Sequence, residues 1–109
     1  MKYKVLILGI AYKQNLNDLR ESPALEILKR LKKIKNLSVE YEDPYIDNFK
    51  IGNLNFYSNN TQKYKNYDFT ILCTDHVNFN YKKILKYSKK IIDTRGIYKF
   101  SDSPKILHL

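Results

Sequence analysis

Residues suited to holding an anionic ligand follow the first apolar run of the chain. Val5–Leu8 is continuously apolar, Gly9 follows it, and the next polar stretch carries Lys13, Asp18, Arg20 and Glu21 before Pro23. A lysine offers a reaching positive charge, and the planar fork of an arginine binds phosphate or carboxylate through two N–H groups. In open α/β sheets, ligands bind beyond the carboxyl ends of the strands. The first strand-to-helix connection is therefore the first place to look for function.

A second candidate cation, Arg95, follows another apolar pair, Ile91-Ile92. If that pair begins a parallel strand, Arg95 emerges at the same sheet edge as Lys13. Each cation also has a plain alternative. The sequence is compatible with Lys13 as a solvated loop residue and with Arg20 in a local ion pair beside the helix start. It is also compatible with Arg95 as a surface arginine at a strand end.

The segment from Gly9 to Gln14 is not a dinucleotide-binding fingerprint. Ala11 and Gln14 stand where Gly-x-Gly-x-x-Gly has its second and third glycines, so the backbone cannot approach a pyrophosphate closely. A Gly-Lys-Ser/Thr phosphate loop is also lacking from the sequence. We predict that this chain alone binds no NAD.

No catalytic or metal-binding residue is predicted. Cys73 ends an apolar run, Phe69–Cys73, where a cysteine is usually a small hydrophobe. His76 and His108 lie too far apart to suggest a metal site, and no Cys/His cluster supports zinc. Asp75-His76, at a strand end, suits either a ligand contact or the capping of a loop.

Strands alternating with helices must position these residues. Strands are predicted at Val5–Leu8, Leu37–Tyr41 and Phe69–Cys73, from Ile91 onward and, weakly, at Leu54–Tyr57. The first predicted helix has Ser22 as its N-cap, Pro23 in its first turn and an apolar stripe of Ala24, Ile27, Leu28 and Leu31. A second helix carries a stripe of Tyr81, Ile84, Leu85 and Ser88, and a brief helix between them spans Thr61 to Asn66. Lys105-Ile106-Leu107 is an edge strand or a frayed end. This order predicts a Rossmann-like α/β three-layer sandwich with a mostly parallel sheet.

Length and composition bound the partners. The 109 residues suffice for one domain, 1–109. The formal net charge of +9 favours anionic partners, although mutational drift toward lysine at solvent-exposed positions would give the same excess of positive charge. A single cysteine fits a reducing compartment, and we find neither a secretory signal nor an apolar run near the roughly 18 residues of a membrane span. We expect a cytoplasmic protein without a membrane partner.

Three segments resemble the UDP-binding, C-terminal domain of the UDP-glucose/GDP-mannose dehydrogenase family. Gly9 to Pro23 resembles the family's Gly-x-Ala-(Tyr/Phe)-Lys-x-x-x-x-Asp-x-Arg-Glu-(Ser/Ala)-Pro, Glu42–Tyr45 its Asp-Pro turn, and Ile91–Arg95 its closing strand and arginine. Thr74-Asp75-His76 points toward the UDP-N-acetylglucosamine 6-dehydrogenase branch. The resemblance covers nearly the whole chain, but only the final third of such an enzyme.

The resemblance implies a function in UDP-sugar binding. It makes Tyr12, Lys13 and Arg95 substrate contacts and turns Arg20 toward the nicotinamide cofactor bound by another domain. The family has Asn where Gly96 stands, which leaves the pose of Arg95 open. Complete enzymes oxidise the sugar C6 alcohol twice, reducing two NAD, for capsule or surface polysaccharide. Their NAD-binding domain, central helix and cysteine nucleophile lie outside this sequence, so we expect no catalysis by this chain alone and a possible separate chain carrying those parts.

Two other classes of function fit the sequence less well. A small basic Rossmann-like binding or regulatory module without sugar-nucleotide binding would have its pocket near Lys13 and Arg95 filled by side chains. A nucleic-acid binder would use the interleaved lysines and tyrosines, but the chain has no RNP, KH or helix-turn-helix signature.

Overall fold

A parallel sheet in the order β2-β1-β5-β6-β7 forms the centre of the computed structural model, which describes residues 2–11 and 22–109. The strands are β1 (Tyr3–Leu8), β2 (Leu37–Glu42), β3 (Asn48–Ile51), β4 (Leu54–Tyr57), β5 (Phe69–Leu72), β6 (Ile91–Asp93) and β7 (Ile106–His108). The helices are α1 (Pro23–Lys32) and α2 (Tyr81–Tyr87), with a 3₁₀ turn at Tyr64–Asn66. β3 and β4 pair as an antiparallel hairpin beside the main sheet. The predicted Rossmann-like α/β fold with a mostly parallel sheet is confirmed.

The central strand β1 explains the continuous apolar run at the start of the chain. Ile7 lies in register with Tyr41 of β2 and Ile71 of β5, so β1 is paired on both sides. Leu6 and Leu8 point into one apolar core and Ile7 into the other. A strand covered on both faces has no solvent-facing position, and alternation disappears from its sequence.

Helix α1 begins where its sequence predicts. The Ser22 hydroxyl accepts a hydrogen bond from the Leu25 N–H, and Pro23 occupies the first turn, where its missing N–H costs nothing. Ala24 and Leu28 are buried on the helix face that packs with Ile7 and its neighbours. The helix therefore points its N-terminus toward the carboxyl edge of the sheet.

Three local predictions differ from the structure. In the Asn-rich stretch only β4 was predicted, but β3 precedes it, because Phe49 packs on Tyr41 with ring centroids 5.1 Å apart. The predicted helix at 61–66 is only the 3₁₀ turn, whose Tyr64 is buried. β5 ends one residue before Cys73. Of the two alternatives left open for the tail, the edge strand is present, as β7.

The two faces of the sheet are covered unequally. On the α1 face, Ile71, Ile92 and Leu107 lie in register across β5, β6 and β7, and Phe69 lies two residues before Ile71 on β5. None of these four residues belongs to either apolar core. Phe69 is 40% exposed and Leu107 56% exposed. Across the residues that the structure describes, then, the α1 side of β5–β7 is an apolar surface without a core of its own. None of the helices in these ranges combines the length and apolar character needed to cross a membrane.

Candidate functional site

The connections after β1, β2, β5 and β6 meet at the carboxyl edge of the sheet. A buried carboxylate, Asp43, lies at their centre. Its Oδ2 accepts hydrogen bonds from the backbone N–H groups of Ile10 at 2.7 Å and Ala11 at 2.9 Å, and its Oδ1 accepts one from Tyr45 at 2.8 Å. Burial alone would raise the pKa of Asp43, but these bonds and one to His76 hold that pKa below its usual value. Asp43 is therefore a charged anchor for the backbone that leaves β1.

His76 completes this anchor from the opposite side. Its Nε2 lies 3.0 Å from Asp43 Oδ2, and its side chain is fully buried. The imidazole packs between the rings of Tyr45 and Phe79, with centroid distances of 4.8 and 5.6 Å. Of the two roles left open for Asp75-His76, the structure gives His76 the one that holds a loop.

Gly9 is required where β1 meets the connection after β5. Its φ of +86° lies in the left-handed region, and a Cβ there would come within 2.5 Å of the Thr74 Cβ. Across this close approach, the Thr74 hydroxyl donates a 2.8 Å hydrogen bond to the Ala11 carbonyl. The backbone before and after Gly9 is thus held against two neighbouring connections.

The predicted site residues Tyr12, Lys13 and Arg20 lie outside the described residues. The residues on each side of that segment are joined to each other, since the Ser22 hydroxyl donates to the Ile10 carbonyl at 2.6 Å. Ser22 thus has two functions, as cap of α1 and as a tie to the end of β1.

Arg95 lies at the predicted edge, in a turn organised by Asp93. The buried Asp93 carboxylate accepts hydrogen bonds from the N–H groups of Arg95, Gly96, Ile97 and Tyr98. Gly96 has a φ of +72°, a conformation that glycine and asparagine both tolerate. The departure from the family's asparagine therefore fits the same turn.

The side chain of Arg95 borders an open cleft. Its Nε lies 3.3 Å from Asp75 Oδ1, and the side chain is 51% exposed. The cleft has a volume of about 400 Å³ and is lined by Pro23, Ala24, Ile27, Cys73, Thr74, Thr94 and Arg95. A guanidinium oriented through Nε keeps its terminal N–H groups for an anion. Among residues 2–11 and 22–109, no side chain fills the space beside Arg95. The binding-module alternative predicts a filled pocket there.

Cys73 forms part of the same cleft. Burial raises the pKa of its thiol to about 12, although the charge of Arg95 acts in the opposite direction. The thiol thus stays protonated at neutral pH, which suits a packing residue rather than a nucleophile. Among the described residues, no group of His, Cys, Asp and Glu side chains could hold a metal ion.

Two residues that organise this site were missed as such in the sequence. Asp93 enters the sequence analysis only within the Ile91–Arg95 motif, although Asp followed three residues later by Gly is a common turn signature. Asp43 carried only the Asp-Pro resemblance, and its bonds to residues 32 and 33 positions earlier follow no local pattern.

A parallel sheet with a cation and an open cleft at its carboxyl edge defines an α/β ligand-binding domain. Residues 6–100 match the family model described as UDP-glucose/GDP-mannose dehydrogenase family, UDP binding domain. The chain belongs to this family, and the predicted resemblance is confirmed.

The chain is similar to proteins named for one sugar nucleotide. It is 36% identical, over 104 residues, to UDP-N-acetyl-D-mannosamine dehydrogenase of Methanococcus vannielii, covering 88% of this chain and 23% of the relative. Solved structures of a UDP-N-acetyl-mannosamine dehydrogenase from S. aureus and a UDP-D-ManNAc dehydrogenase from Pyrococcus horikoshii are each 25% identical, with TM-scores of 0.69 and 0.70. They cover 96% and 98% of this chain, which spans 25% of each of them. The chain thus corresponds to about a quarter of these relatives.

Proposed function

We propose that this chain binds a UDP-sugar in the cleft beside Arg95, as the substrate-binding part of a nucleotide-sugar dehydrogenase. The observation that carries the proposal is a half-exposed arginine, fixed by Asp75 and the Asp93 turn, at an open cleft of a UDP-binding family fold. In this proposal Arg95 contacts the ligand together with Tyr12 and Lys13. The diphosphate of UDP supplies the anionic charge that lysine and arginine bind.

The sugar that we propose is N-acetyl-D-mannosamine. The resemblance at Thr74-Asp75-His76 pointed to the N-acetylglucosamine branch, but the relatives reported above are named for the mannosamine epimer. His76 is buried against Asp43, so this part of the motif holds the loop. It therefore does not help to choose between the two sugars.

NAD, in this proposal, is held outside residues 1–109. The first N–H groups after β1 are the donors that a dinucleotide pyrophosphate would need, and at Ile10 and Ala11 they already bind the Asp43 carboxylate. An anion at that place would meet a buried negative charge, so the residues present do not fit NAD. In this proposal Arg20 faces that cofactor, and oxidation of the sugar to a uronic acid for surface polysaccharide needs the part of the enzyme that holds NAD.

The test is an NMR titration of the labelled protein with UDP-N-acetylmannosamine, UDP-N-acetylglucosamine, UDP-glucose, UDP and NAD. We expect shifts of the amides of Cys73–Asp75 and Thr94–Arg95 with each UDP ligand and none with NAD. Arg95→Ala and Lys13→Ala should each weaken binding about tenfold or more, because a charged hydrogen bond to the diphosphate is lost. Arg30→Ala, on the exposed side of α1, is the matched control and should bind as the wild type does.

The outcomes separate the parts of the proposal. Absence of shifts at millimolar UDP-sugar contradicts binding by this chain. Equal affinity for the two N-acetylated sugar nucleotides contradicts the choice of mannosamine but leaves UDP binding intact. Saturable shifts with NAD contradict the proposal that residues 1–109 do not hold that cofactor.

A further inference from the structure

The Asp43–His76 pair bridges the connections on the two sides of β1. Asp43 follows β2, His76 follows β5, and these strands flank β1 in the sheet. The bond between His76 Nε2 and Asp43 Oδ2 therefore passes over the carboxyl end of β1. Both side chains are fully buried, so the pair links three neighbouring connections without contact with solvent.

On one side, this bridge fixes the backbone from which two proposed ligand residues leave. Asp43 Oδ2 accepts the N–H groups of Ile10 and Ala11, and Tyr12 and Lys13 are the next two residues of the chain. Among the described residues, four donors are directed at the Asp43 carboxylate, including the Tyr45 N–H and His76 Nε2. A neutral amide at this position has only one acceptor oxygen and cannot satisfy this set.

On the other side, the bridge ends next to the residue that orients Arg95. Asp75 precedes His76 and forms an ion pair with Arg95, in which Asp75 Oδ1 lies 3.3 Å from Arg95 Nε. Aromatic rings on both sides of His76 restrict this segment further. The same two-residue segment thus faces Asp43 through His76 and Arg95 through Asp75.

We propose that Asp43 and His76 are positioning residues for UDP, which set the start of the Tyr12-Lys13 segment relative to Arg95. This inference rests on the proposed function. Displacement of a binding group by about 1 Å can cost a large part of its contribution, so loss of the bridge should weaken UDP binding although neither residue touches the ligand.

A double-mutant cycle tests the inference with UDP as the probe. In the wild-type background, His76→Leu should weaken UDP binding about tenfold, measured by NMR at a temperature where circular dichroism shows the variant folded. In the Lys13→Ala background the same change should cost less than about twofold, because the group that it positions is absent. His76→Gln, which keeps a donor near the place of Nε2, should restore most of the affinity.

Tyr64→Phe controls for general loss of stability, since it removes a buried hydrogen bond to Glu42 and should leave UDP affinity unchanged. If His76→Leu does not fold, Asp43→Asn takes its place in the cycle. Unchanged affinity in the bridge variant, an equal loss in both backgrounds, or an equal loss in Tyr64→Phe overturns the positioning role alone. A wild-type protein that binds no UDP overturns the proposed function and this inference with it.

Discussion

Two neighbouring carboxyl groups at the end of β2 have opposite environments. Asp43 accepts hydrogen bonds that favour its ionised form, and its pKa is lowered. Glu42 is also buried, but among the described residues its side chain accepts only a long hydrogen bond, at 3.4 Å, from the Tyr64 hydroxyl. Burial raises the pKa of Glu42 to about 7, with a smaller contribution from Asp43 in the same direction. The number of hydrogen-bond donors facing each carboxyl group, rather than its burial, decides which of the two is charged.

Glu42 should therefore make the stability of the protein fall as pH rises from about 4.5 to about 7. The unfolded chain loses this proton near pH 4.5 and the folded protein only near pH 7, so ionisation favours unfolding in that interval. Glu42→Gln removes the titrating group and keeps an acceptor for Tyr64. Relative to wild type, the variant should gain up to about 3 kcal/mol in unfolding free energy between pH 4 and pH 8.

Urea denaturation at several pH values measures this difference. Exposed Glu26, changed to Gln, is the matched control and should follow the wild-type pH dependence. Parallel curves for wild type and Glu42→Gln across this interval would show that Glu42 has an ordinary pKa in the folded protein.

At the level of elements, the two N-caps offer a comparison. Ser22 caps α1 and also donates to the buried Ile10 carbonyl, whereas Asn80 caps α2 through a bond from the Lys83 N–H. Ser22→Ala should cost about 1 kcal/mol for the cap and about 1 kcal/mol more for the unsatisfied carbonyl. Asn80→Ala should cost only the cap, about 1 kcal/mol. Equal costs in urea denaturation would show that the bond to Ile10 contributes nothing.

Elements with their own periodicity could be predicted from the sequence, and elements made by distant contacts could not. β1 and α1 have a continuous apolar run and a capped apolar stripe, which act locally. β3 depends on contacts of the Phe49 ring with the rings of Tyr41 and Phe56, at centroid distances of 5.1 and 5.2 Å. Because the other residues of this segment are largely polar, its sequence does not indicate a strand. The same holds at the site. Strand order predicted the edge on which Arg95 lies, while the Asp43–His76 bridge joins residues 33 positions apart.

For the whole molecule, the uneven covering of the sheet is the main departure from a complete sandwich. Parallel sheets normally have both faces covered, because their strands are apolar on both sides. Here the face carrying Leu6, Leu72 and Ile106 is a packed core. Within the part of the chain that the structure describes, the core on the opposite face lies mainly over β1 and β2. Four apolar side chains belong to neither described core and should therefore contribute little to stability: Phe69, Ile71, Ile92 and Leu107.

Neighbouring residues of β7 test this asymmetry. Ile106 is 9% exposed and belongs to the core below α2, whereas Leu107 is 56% exposed on the other face. Ile106→Ala should cost about 2 kcal/mol or more, since it removes buried methyl groups and leaves a cavity. Leu107→Ala should cost less than about 1 kcal/mol, because most of its surface already meets water. Urea denaturation at low micromolar concentration gives both values, and equal losses would mean that Leu107 is buried in the isolated protein and that both faces of the sheet are covered.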